Sequence, residues 1–191
     1  MARWETSTLD LHAAIHERRT IHSYRPEPLE PEVLERALDA AHQAPCHKLT
    51  FPWRFVVSGP RTREAIANIA VSLKSSDRTL PPEKITAIQN KVLDPAELVV
   101  VAQVRCDDPF RSREDYAACS CAIQNMSLSL TADGVGSKWS TGGLTRDRGT
   151  YDVFGIDPAA EEIIGFIWVG LAKETPTVKR PGLDSVVRRT D

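Results

Sequence analysis

ELVVVAQV, residues Glu97 to Val104, is a β-branched run with no alternation of apolar and polar positions. A strand with one wet face alternates, so this run predicts a central strand covered on both faces. Two more strands stand out from it. IIGFIWVG at Ile163–Gly170 is equally apolar, and WRFVV at Trp53–Val57 is aromatic and β-branched and closes at Ser58-Gly59-Pro60. Helical spacing fills the gaps. Leu11, Ala14, Ile15 and Arg18 predict a helix from about Leu9 to Arg19 that ends in two arginines. Pro31 opens a second helix, with Leu34, Ala37, Leu38 and Ala41 on its buried face, and Pro45 stops it before the loop Cys46–Pro52. Arg61–Lys74 and Pro82–Val92 read as two further helices in a middle section expected to face solvent. Asp115–Asp133 is apolar nearly all round, as a helix buried in the domain or against a partner would be, so a dimer interface is expected there. Gly134 and Gly136 end it. SKWSTGGL at Ser137–Leu144 follows, its glycines and hydroxyls leaving the backbone free to approach a ligand, and the tail Lys173–Pro181 carries three cations and two prolines that favour extension.

Composition narrows the class. The 191 residues are 41% apolar and 26% charged, which fits one globular domain spanning 1–191, with no repeat and no linker able to separate two domains. With 24 Lys+Arg against 26 Asp+Glu, the net charge of −2 offers no broad basic surface for nucleic acid or an anionic membrane, so any anion site must be local. The longest apolar run, Ile163–Ala172, is half of the roughly 20 residues a spanning helix needs. Residues Met1–Thr6 lack the apolar stretch of a secretory signal, and the expected location is the cytoplasm. Cys46, Cys106, Cys119 and Cys121 form no CxxC pair and read as free thiols.

Familiar catalytic fingerprints are missing. The chain has no GxGxxG after a strand, no GxxxxGK[ST] and no GxSxG. His12 and His16 are four apart, but Ala13 stands where a zinc protease needs its glutamate, so no metal site is expected. Four polar clusters remain: Arg18-Arg19-Thr20, Gln43 with His47-Lys48, Trp139-Ser140-Thr141, and Lys179-Arg180. Arginine suits a phosphate because its planar guanidinium donates paired, charge-assisted hydrogen bonds. Each cluster also has a plain reading. Cations at a helix C-terminus favour its dipole, the tail pair can be solvated, and Trp139 can be a core aromatic.

Taken in order, these segments resemble the FMN-dependent nitroreductases, in particular their short bacterial NAD(P)H nitroreductase branch. The resemblance rests on ERRTIHSY (Glu17–Tyr24), APCHKLTFPWRFVV (Ala44–Val57), GVGSKWSTGGLT (Gly134–Thr145) and IIGFIWVGLAKETPTVKRP (Ile163–Pro181). It implies an α+β fold with a mainly antiparallel central sheet flanked by helices, assembled as a homodimer with two FMN sites at the interface. By position, Arg18, Arg19 and Thr20 would hold the FMN phosphate and flavin edge, with Lys179 or Arg180 completing the phosphate grip. Gln43 and His47 match positions that reach the cofactor from the partner chain, and Trp139, Ser140 and Thr141 match the segment along the isoalloxazine ring. Cys46 and Phe51 depart from the pattern near the substrate pocket. The implied activity passes a hydride from NAD(P)H through flavin to nitroaromatic or quinone acceptors in ping-pong fashion. The flavin would carry the chemistry, and no catalytic side chain is required. A specialised metabolite substrate, or a non-catalytic flavin sensor, is the alternative on the same fold.

Overall fold

The computed structural model describes residues 10–191. The first nine residues, which include the signal-peptide reading at Met1–Thr6 and the start of the first expected helix at Leu9, lie outside the described part. Four strands form one antiparallel sheet: β1 (Trp53–Val57), β2 (Glu97–Val104), β3 (Gly136–Ser140) and β4 (Glu161–Gly170), in the order β1-β2-β4-β3. The ELVVVAQV strand is thus central. Its interior positions are all buried, because both faces of the sheet carry helices.

Period-two alternation divides the core into two layers. Val99, Val101, Ile167 and Val169 pack with α2 (Pro31–His42) and the long α5 (Pro109–Ala132), while Leu98, Val100, Phe166 and Trp168 pack with α3 (Pro60–Ser75), Val92 of α4 (Pro82–Leu93) and Tyr151 of α6 (Arg148–Phe154). One register shift interrupts this order. Val101 pairs with Gly165 but Ala102 pairs with Ile163, so Ile164 is the extra residue of a β-bulge. The bulge keeps Ile163 and Phe166, three apart, in the same layer.

Several elements differ from the sequence expectation. The first helix, α1, covers only Leu11–Glu17: Asp10 caps its start by accepting from the Ala13 N–H (2.8 Å), and Arg18 is already the C-cap. The long helix starts at Pro109, six residues before Asp115, because Asp108 accepts from the Phe110 and Arg111 N–H groups and Pro109 needs no donor partner. The glycine-rich segment after it begins as strand β3. Helix α6 was not signalled by periodicity; Asp147 caps it and Gly155 ends it. The middle section is not merely solvent-facing, since Ile66, Ala67 and Ala70 of α3 and Val92 of α4 are buried against the sheet.

Polar anchors then fix the α3–α4 layer. The Arg63 guanidinium donates to the carbonyls of Val92 (3.0 Å), Leu93 (2.8 Å), Ala96 (2.8 Å) and Pro95. One side chain on α3 therefore holds the C-terminal end of α4 and the entry to β2. On the opposite layer, Arg36 of α2 pairs with Asp133 at the end of α5 (2.9 Å).

Candidate active site

Two of the predicted clusters meet on β3. After α1 the chain turns so that Thr20 forms a parallel bridge with Ser137 and the Ile21 N–H donates to the Ser137 carbonyl (3.0 Å). Tyr24 then pairs antiparallel with Ala172, and its buried hydroxyl lies 3.0 Å from the Ile21 carbonyl and 3.1 Å from that of Trp168. This zipper brings the basic residues at the end of α1 to one end of β3. Ser140 and Thr141 stand at the other end.

The two arginines have different surroundings. Arg19 folds back on its own helix, donating to the carbonyls of His16 (2.6 Å) and Arg18 (2.9 Å), which is the helix-end role its position permits. It also lines a cavity of about 400 Å³ with Glu17, Thr131, Gly134, Gly136 and Ala172. Arg18 is half-buried, and its guanidinium makes no hydrogen bond or ion pair among the described residues.

At the far end of β3 the alternation separates neighbours. Trp139 turns into the α2–α5 layer, its indole lying over Gly165 and donating to the Ile164 carbonyl (3.3 Å). Ser140 turns the other way and accepts from the Trp168 indole N–H (2.6 Å). A ligand on the Ser140 side of β3 therefore meets Trp139 only through its backbone. Past Ser140, Gly142 adopts φ 134°, a conformation that residues with a Cβ rarely take, and the turn continues into a short 3-10 helix, Gly143–Arg146.

This turn borders a second cavity of about 430 Å³ between α3, α4 and β3. Lys74, Lys91 and Lys138 line it, Leu73, Ile88 and Val92 supply apolar walls, and Phe166 and Trp168 stack beneath at 5.8 Å and 17°. Burial and the neighbouring Lys91 both push the Lys138 ammonium below the ordinary lysine range. The lysines were missed in the sequence reading. Lys138 had a local signal, since it shares a strand face with Ser140 two residues on, whereas Lys74 and Lys91 reach the cavity only through the packing of two helices.

Gln43 and His47 line neither cavity. Gln43 is the C-cap of α2 and borders an apolar groove with Leu11, Ala14, Asn125 and Leu128. His47 is exposed at the start of a loop in which Lys48, Leu49 and Phe51 have φ of 53°, 55° and 44°. Three left-handed residues with side chains cost roughly 1 kcal/mol or more each, so the loop needs anchors. Cys46 provides one, its Sγ accepting from the Phe51 N–H (3.4 Å), and Thr50 provides another by donating to the buried Asp115 carboxylate (2.7 Å). Lys179 and Arg180 lie on the exposed tail, where their side chains meet no partner among the described residues.

His12 and His16 are both exposed, and no cluster of three or more potential metal ligands exists among the described residues. Nor is any helix among them long and apolar enough to cross a membrane.

Known proteins are similar to this chain in sequence and in fold. A profile of the nitroreductase family matches residues 15–171. Among curated proteins, "Putative NAD(P)H nitroreductase YfhC" of Bacillus subtilis is 33% identical over 170 residues, covering 87% of this chain and 86% of its own. Among solved structures, a nitroreductase-like family protein from Bacillus cereus superposes with a TM-score of 0.82 at 21% identity, over 98% of this chain and all of the other. An FMN and NADPH-dependent nitroreductase, NfnB of a Sphigopyxis species, gives 0.80 at 16% identity over 96% and 100%. The matched region runs from within α1, through the basic turn that follows it, to the residue after β4, and the chain belongs to the nitroreductase family.

Proposed function

We propose that this chain is an FMN-dependent NAD(P)H oxidoreductase that works as a homodimer in the cytoplasm. The observation that carries the reading is the Thr20–Ser137 bridge, which sets the basic turn and the Ser140–Gly143 turn along one strand. The four residue-to-residue steps from Ser137 to Thr141 span about 13 Å at roughly 3.3 Å each. A ligand with a phosphate at one end and a flat ring at the other matches that layout.

The residues fit FMN chemically. Arg18 presents an uncommitted guanidinium for the phosphate, Thr20 adds a hydroxyl, and Lys179 or Arg180 of the extended tail would complete the grip. A Cβ added to Gly142 would meet nothing within 4 Å, so space for a ring lies open at that turn. The backbone of Trp139–Gly143 and the hydroxyls of Ser140 and Thr141 supply donors, and Lys138 supplies positive charge beside them. Bound FMN would supply two-electron transfer between reduced nicotinamide and an acceptor. The chain's part is to hold the ring, stabilise negative charge near it by fixed dipoles and cations, and leave one face open to donor and acceptor in turn, which gives ping-pong kinetics. Gln43 and His47 line neither of these cavities in their own subunit and would reach the partner's cofactor. Nitroaromatics and quinones are the acceptors such an open ring face accommodates.

The test is an anaerobic absorbance spectrum of the purified protein, before and after addition of FMN, followed by NADH and then NADPH. A bound flavin spectrum that bleaches with either donor supports the reading. Bound flavin that neither donor reduces refutes the reductase, and a protein that binds no flavin refutes the cofactor.

A further inference from the structure

Three lysines from three elements converge on the cavity beside the Ser140–Gly143 turn. Lys74 sits in the last turn of α3, Lys91 in the last turn of α4, and Lys138 on β3. A favourable interaction with a helix C-terminus accounts for Lys74 and Lys91 singly, but not for Lys138 on a strand, nor for the convergence. No Asp or Glu lines the cavity, and no ammonium of the three makes a hydrogen bond or ion pair among the described residues. Like charges gathered without a counter-charge repel one another, and Lys138, held below the ordinary lysine range first by its burial, also registers the charge of Lys91. The Arg63 clamp on the end of α4 holds Lys91 in this unfavourable company.

Besides the three lysines, much of the cavity lining is apolar and partly aromatic. Leu73, Ile88 and Val92 form its walls, and the Phe166–Trp168 stack forms its floor. Since the Ser140 oxygen accepts from Trp168, the Ser140 hydroxyl proton is left to donate elsewhere. A cationic rim over an aromatic floor complements an aromatic anion. Lysine, a point charge on a flexible stem, suits a carboxylate that approaches without a fixed paired geometry.

We propose that Lys74, Lys91 and Lys138 make the site selective for aromatic acceptors that carry a carboxylate, the ring lying against the apolar wall and the carboxylate against Lys91 and Lys138. The proposal rests on the flavin-reductase reading and names its acceptor class. Lys91 is a specificity residue outside the phosphate grip, and as an exposed helical position it tolerates substitution.

Two paired probes test it. In steady-state turnover with NADH, kcat/KM for 4-nitrobenzoate is expected to exceed that for the neutral 4-nitrobenzyl alcohol at least tenfold, and K91Q is expected to cut that ratio at least fivefold, with K91E cutting it further. Calorimetric titration of the same proteins with benzoate and benzyl alcohol, neither of them reducible here, is expected to show the same preference and the same loss. A ratio near one in the parent protein overturns the proposal. So does a ratio that K91Q leaves unchanged while FMN affinity falls, which would assign the lysines to the cofactor, or while flavin bleaching by NADH slows, which would assign them to the donor. Should the protein bind no flavin, the reductase reading fails separately, and benzoate calorimetry still decides whether the cavity takes an aromatic carboxylate.

Discussion

Gly165→Ala is the substitution whose consequence is most directly readable from the geometry. A Cβ at this β4 position would lie 2.0 Å from Trp139 Nε1 and 2.4 Å from its Cδ1. Ordinary contact begins near 3.4 Å, so the indole would have to retreat by 3.4 − 2.0, or about 1.4 Å. It could not do so and keep its hydrogen bond to the Ile164 carbonyl, already 3.3 Å long. Overpacking of a buried site costs about 1–3 kcal/mol, and loss of the bond about 0.5–1.5 kcal/mol more. Together these predict a destabilisation of about 1.5–4.5 kcal/mol, equivalent to a fall in Tm of roughly 3–18 °C for a chain of this length. Urea unfolding at fixed protomer concentration would measure it. Gly165→Ala combined with Trp139→Leu provides the control, because the smaller side chain vacates the clashing volume. The double variant should cost at least about 1 kcal/mol less than the sum of the two single variants. A Gly165→Ala protein within about 0.5 kcal/mol of the parent, or strict additivity in the cycle, would refute the packing argument.

Other outcomes follow from the same structure. Arg18→Ala should raise the FMN dissociation constant roughly 10- to 150-fold, since a hydrogen bond from a charged group is worth about 1.5–3 kcal/mol, and flavin fluorescence titration reads it directly; an unchanged constant moves the phosphate elsewhere. Mixed dimers of Arg18→Ala and His47→Ala subunits should regain one intact site of two, and failure to recover any flavin binding would argue against a cofactor shared between subunits. Lys138→Met should raise the urea midpoint of the flavin-free protein at pH 7, because the folded state holds Lys138 below its ordinary pKa and so penalises its charged form. That penalty shrinks as pH rises through the lowered folded value toward 10.5, so the two proteins should converge at alkaline pH; a gap that widens instead contradicts the assignment. Cys119, fully buried and with its thiol pushed up to about 12, chiefly by burial, should resist iodoacetamide at pH 8 until the protein unfolds, while the exposed Cys121 serves as the comparison. Mass spectrometry of native and urea-treated samples would show alkylation of native Cys119 if this is wrong.

What the sequence could convey about this fold was governed by the range of the interactions involved. ELVVVAQV and IIGFIWVG announce buried strands because each residue's burial is written in its own composition, and the helix that Pro31 opens is fixed by local spacing and its proline. Strand β3 was obscured because GSKWS has only one strongly apolar residue and lies between two glycines; it is a strand because β4 on one side and Thr20 on the other supply its hydrogen bonds. Helix α6 was hidden for a related reason, as RGTYDVF has too few turns for a periodic stripe and depends on the Asp147 cap. In the candidate site, the basic turn and the Ser140–Thr141 pair were found because their residue types suit phosphate and backbone approach, yet nothing local showed that one bridge joins them. The same limit applies more strongly to the lysines. Lys74 ends α3 and Lys91 ends α4, and they reach one cavity only through the packing of the two helices on the sheet, with Arg63 of the first turn of α3 fixing the end of α4, so their shared cavity is a property of tertiary packing. Since α3 and α4 together supply two of its three cations and three of its apolar walls, changes in this helical pair would alter acceptor choice without disturbing the strand that holds the flavin site.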